Sequence, residues 1–110
     1  MTVEECAQKL SLRFLAGEEG AQTEISGGYV GDLLSWVMGR LEEGQAWITV
    51  MGNINAIAVA TLKDASCIIL TDEAPLDEDA RRRAELEGVP VLVTDKNSYQ
   101  TALALGQALL

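Results

Sequence analysis

Asn53, Asn55, Thr71 and Thr94 follow apolar runs that read as strands, and each can both donate and accept a hydrogen bond. Together with neighbouring Gly52, Asp72 and Asp95 they make three short loops: Gly52-Asn53-Ile54-Asn55, Thr71-Asp72-Glu73 and Thr94-Asp95. Open α/β sheets bind ligands beyond the carboxyl ends of their strands. A helix N-terminus after such a loop favours an anion. Asp72, Glu73 and Asp95 oppose an anion unless a metal intervenes. The competing reading is that these are turn and cap residues.

Other chemistry has little to draw on. Histidine is absent, which excludes His-based triads and His-ligated metal sites. No Gly-Lys pair supplies a phosphate loop, and no GxGxxG occurs. The acids Asp72, Glu73, Asp77, Glu78 and Asp79 match no calcium-loop spacing and read as a solvated helix start. Cys6 and Cys67 have no partner at metal spacing. They read as buried free thiols, with a disulfide or a reactive thiol as the alternatives. A non-enzyme with no metal and no cofactor is therefore expected.

Positioning these residues is the work of one domain over 1–110, apolar at 48% and charged at 23%. The net charge of −9 argues against nucleic-acid binding. Arg81, Arg82 and Arg83 form the one basic run, balanced by nearby acids. No apolar run approaches the roughly 20 residues of a membrane helix, and the start MTVEECAQKL shows no apolar signal core. A cytoplasmic protein is the expectation.

The spacing predicts a helix over 2–10, begun by a capping box of Thr2 and Glu5. A short strand is expected over 12–16 and an extended piece at 23–25. Ser26-Gly27-Gly28 reads as a loop before a helix, or as a backbone surface meeting a ligand or second subunit. That helix is expected from 31 or 32 to 41, with Leu33, Leu34, Val37, Met38 and Leu41 on its apolar face and Trp36 off it. Residues 47–50, 66–70 and 89–93 read as buried strands. Between them, Ile54, Ile57, Ala58 and Leu62 suggest one helical face, and 77–87 a charged helix stopped by Gly88. A last helix, capped by Asn97 or Ser98, is expected to bury Tyr99, Ala102, Leu103, Gly106 and Leu110. Alternating strands and helices imply an α/β fold with a mainly parallel sheet of about four to five strands flanked by helices.

The segments SGGYVGDLLSWVM (26–38), WITV (47–50), NINAIAVA (53–60), IILT (68–71) and GVPVLVT (88–94) resemble the DRTGG domain family in order and spacing. Such domains accompany CBS domains in some inorganic pyrophosphatases and occur within some phosphotransacetylases. They are related to the N-terminal domain of HPr kinase/phosphorylase, whose fold the resemblance implies here. The likeness is strongest to small stand-alone members, some encoded near iron-only hydrogenase genes. The family's signature residues correspond to Asn53, Ile54, Thr71, Asp72 and Glu73, of which only Thr71 keeps its type. The arginine is lost and two acids are gained, which weighs against nucleotide binding. The family implies a regulatory or dimerising module.

The expected function is thus a non-catalytic regulatory, ligand-sensing or dimerisation module. Ser26, Gly27, Gly28, Tyr29 and Trp36 are the candidate homodimer contact. The ligand candidates are Gly52, Asn53, Asn55, Thr71, Asp72, Thr94 and Asp95, for a small molecule or nucleotide. An adaptor that binds a protein partner in an iron-only hydrogenase system is the alternative. Neither nucleic acid nor membrane is an expected partner.

Overall fold

Apolar runs covered on both faces become the middle of the sheet. In the computed structural model, which describes residues 1–110, β3 (Gln45–Thr49), β4 (Cys67–Leu70) and β5 (Val91–Val93) are almost wholly buried. They pair in parallel, and β2 (Gly27–Val30) joins β3 in parallel with residue-by-residue register from Gly27↔Gln45 to Val30↔Ile48. β1 (Arg13–Ala16) pairs with β5 antiparallel, and its register shifts between Phe14 and Ala16. The order is β1-β5-β4-β3-β2, so β1 and β2 are the two edges.

Strand alternation sorts the core into two layers. Trp47, Ile68, Leu70, Val91 and Val93 face α2 (Leu34–Arg40), α3 (Ile54–Leu62) and α4 (Glu78–Glu87). Ala46, Ile48, Cys67, Ile69 and Leu92 face α1 (Val3–Leu10) and α5 (Ser98–Leu109). From β2 to β5 every crossover steps to the next strand in the same direction, with its helix on one face. Strand order never reverses among the parallel strands, so no switch-point crevice opens between them.

Local signals hold at the helix ends. The Thr2 hydroxyl accepts from the Glu5 N–H at 3.1 Å, and the Glu5 carboxylate accepts from the Thr2 N–H at 2.8 Å. That backbone bond, with the Thr2 hydroxyl second, holds the Glu5 carboxyl below its usual value. Asn97 and Gln100 repeat the box at α5, with bonds of 2.8 and 3.2 Å. Gly88 ends α4 at φ +71°.

Four expectations need correction. Gly27–Val30 is a strand, not a loop. A Cβ on Gly28 would stand 2.8 Å from Leu105 Cδ2, so the glycine serves close packing of α5. α2 begins at Leu34, and Leu33 and Met38 are exposed rather than packed. α3 buries Ala56, Ile57, Val59 and Ala60, while Ile54, Ala58 and Leu62 face outward. Almost every α3 residue is apolar, so periodicity carries no information about its face. α5 buries Thr101 and Leu105 and leaves Tyr99, Leu103, Gly106 and Leu110 exposed. Thr101 is admitted because its hydroxyl donates to the Asn97 carbonyl at 2.8 Å.

Candidate functional site

The loops after β3, β4 and β5 lie at one edge of the sheet, since these strands are parallel. Two of them are joined through backbone. The Asp72 N–H donates to the Lys96 carbonyl at 2.8 Å, and the Glu73 N–H to the Thr94 carbonyl at 2.9 Å. Asp72 and Glu73 both take positive φ, +56° and +53°. The left-handed conformation survives at these two positions although neither is glycine.

Each candidate side chain has a local partner or an open position. The Asn53 side chain accepts from the Ala56 N–H at 2.9 Å and caps α3. Thr71 is fully buried, and its hydroxyl pairs with that of Ser98 at 2.9 Å. The Thr94 hydroxyl accepts from the Lys96 N–H at 3.2 Å. Asn55, Asp72 and Asp95 are exposed, with Asp95 3.8 Å from the Lys96 ammonium. Gly52 is pressed against the segment that leads into α4. A Cβ there would fall 2.0 Å from the Pro75 carbonyl oxygen, and the Gly52 carbonyl accepts from the Asp77 N–H at 2.8 Å.

Two further residues tie this edge together. Asp32 accepts from the Thr49 hydroxyl at 2.7 Å and the Val50 N–H at 2.9 Å, locking the β2–α2 loop to the end of β3. Ser98 closes over Thr71. Sequence reasoning missed both, because each partner is distant in the chain. The only signal was an acid just before an apolar helix in one case and a cap-adjacent serine in the other. The loops at this end of the sheet carry Asp32, Asp72, Glu73, Asp77 and Asp95 against two cations, Lys96 beside Asp95 and Arg13, whose guanidinium lies 3.1 Å from Glu73. This acidic balance disfavours a phosphate. Buried side-chain polar atoms all have partners, so none is left aimed at a ligand.

The hollows lie mostly elsewhere. An apolar groove of about 180 Å³ runs between β2 and α5. A polar hollow of about 170 Å³, including Thr61, Asp64, Ser66 and Glu87, sits at the opposite ends of the strands. A cleft of about 20 Å³ touches Thr94 and Lys96.

The candidate contact residues surround the β2 edge. Ser26 is tied down by donating its hydroxyl to the Glu43 carbonyl at 3.1 Å. Gly27 and Gly28 lie in β2, and Tyr29 packs on the α2–α4 layer. Trp36 is 56% exposed, with the Arg40 guanidinium 4.1 Å above its ring. Both cysteines are free and buried in the layer beneath α1 and α5. Burial pushes the Cys6 thiol up to about 11 and the Cys67 thiol up to about 12, away from reactivity.

A family model for the DRTGG domain matches residues 5–108. Among solved structures, the chain is similar to the CBS and DRTGG domains of the regulatory region of Clostridium perfringens pyrophosphatase, complexed with the activator diadenosine tetraphosphate. The TM-score is 0.72 at 16% identity, covering 97% of this chain and 46% of the other. The chain thus spans about half the length of that structure's chain, and at this identity the likeness concerns the fold. No curated protein matches the chain.

Proposed function

This chain belongs to the DRTGG domain family, and from that membership we propose a non-catalytic regulatory module that acts as a homodimer through its β2 edge. The observation that carries the reading is the character of that edge. β2 has a partner on one side only, pairs without a register shift, and lies in a stretch, residues 25–31, that holds no charged side chain. Monomeric proteins blunt such edges with charge, proline or a bulge. Ser26, Gly27, Gly28, Tyr29 and Trp36 belong to this contact. The neighbouring pyrophosphatase DRTGG domain lies within a regulatory region, which favours a regulatory role over catalysis. Light scattering on the purified protein tests the reading, with a dimer expected. A monomer at every concentration up to about 100 μM, where even a weak specific contact is occupied, overturns it.

A second role, ligand sensing, is favoured by the backbone bonds that gather the loops holding Thr71, Asp72, Thr94 and Asp95 beside Gly52, Asn53 and Asn55. The activator bound by the pyrophosphatase region brings nucleotides into the test, and the acids around these loops bring in divalent ions beside them. Thermal-shift measurements with nucleotides, acyl phosphates and divalent ions test it. A rise in melting temperature that Asn55→Asp or Lys96→Glu abolishes supports the site. No rise with any of them overturns it.

A further inference from the structure

We infer that the outer face of α5 forms the second half of the homodimer contact, with Leu103 of each copy seated in the groove between β2 and α5 of the other. This rests on the self-association proposed above and names its surface.

Size requires more than the strand. Four residues of β2 span about 13 Å, whereas a stable contact buries about 800 Å² on each partner. The rest must come from a surface continuous with that edge, and α5 packs directly over β2.

Charge selects the same surface. Two copies each carrying −9 repel wherever acids face acids. Residues 98–110 contain no charged side chain, so α5 and the β2 stretch bring copies together at least electrostatic cost. On this helix Tyr99, Leu103 and Gly106 recur at helical spacing and stand exposed, Tyr99 by 74% and Leu103 by 51%.

Shape makes the surface self-complementary, as a two-fold contact demands. The groove is lined by Gly28 and Val30 of β2, Ile48 of β3, and Ala102, Gly106 and Leu109 of α5. Gly106 belongs to both groove and stripe, so the projecting leucine and the apolar hollow are neighbours on one face. A Cβ on Gly106 would meet nothing within 4 Å, leaving an open dent beside Leu103. A second copy of this chain is therefore the occupant that fits: it brings an uncharged leucine stripe, and each copy fills the other.

Leu103→Glu and Gly106→Glu test the inference, with Leu86→Glu on the opposite layer as control. Both test positions are open to solvent, so circular dichroism is expected to show a native fold. Sedimentation velocity is expected to show a dimer for the wild type and the control. For Leu103→Glu and Gly106→Glu the dissociation constant should rise by about tenfold or more, the size expected when a buried interface anchor gains a charge. If the wild type is a dimer and both variants match it, α5 lies outside the contact and this inference is overturned, while self-association stands. If the wild type is a monomer, both readings fall.

Discussion

The two edges of the sheet are built by opposite means. β1 is antiparallel, its register slips between Phe14 and Ala16, and it carries the exposed Arg13–Glu73 pair at 3.1 Å. Its chain then turns at Gly17, φ +68°, tight against the Val89 carbonyl. β2 is parallel, regular and uncharged. A bulge and a charge make β1 a poor template for a further strand, whereas β2 keeps a regular, uncharged edge. One edge is closed by local devices, and the other is left unpaired.

Glycine substitutions should break this contrast most strongly. At Gly17 an added Cβ would fall 1.9 Å from the Val89 oxygen, in a left-handed conformation. Gly17→Ala is expected to lose on the order of 3 kcal/mol or more in urea denaturation. At Gly28 the obstacle is the movable end of Leu105, and Gly28→Ala should lose only about 1 kcal/mol.

The apolar layer beneath α1 and α5 gives a pH reference common to both. An unfolded thiol ionises near 9.0, whereas the folded Cys67 and Cys6 hold their protons to about 12 and about 11. Between pH 9 and 11 the unfolded chain therefore releases protons that the folded chain keeps, and stability falls as pH rises. The loss at pH 11 is expected to be on the order of 2 kcal/mol per thiol, Cys67 leading. Cys67→Ala should flatten the slope in denaturation curves taken across this window.

A charge placed on each edge sharpens the comparison. Val30→Glu on β2 is expected to raise the dimer dissociation constant about tenfold, near 1.4 kcal/mol, with little effect on the monomer. Arg13→Ala on β1 should shift stability by less than about 0.5 kcal/mol and leave the oligomeric state unchanged, since its ion pair is exposed. Sedimentation at a series of concentrations reads both. In the loop after β4, Asp72→Gly should stabilise by up to about 1 kcal/mol in chemical denaturation, by relieving a left-handed residue.

What the chain reveals without coordinates follows from locality. β3, β4 and β5 are legible because strands covered on both faces must be continuously apolar. The boxes at Thr2–Glu5 and Asn97–Gln100, and the stop at Gly88, depend on residues within one turn. β2 is hidden because Gly27-Gly28 reads as a breaker, while the reason for Gly28 is Leu105, far along the chain. The faces of α3 and α5 are hidden because apolar residues run all round them, so tertiary packing alone decides which side is buried. At the candidate site, alternation of strands and helices suffices to put Asn53, Thr71 and Thr94 at one edge. Whether a crevice opens there depends on strand order, and the steady progression from β2 to β5 opens none.

Hydrogen–deuterium exchange at two protein concentrations tests the open edge most directly. Amides of Gly27–Val30 should be protected when the protein is concentrated and exchange faster on dilution, while those of Arg13–Ala16 stay unchanged. Equal exchange of the β2 amides at both concentrations, with the protein folded throughout, would contradict a partner at that edge.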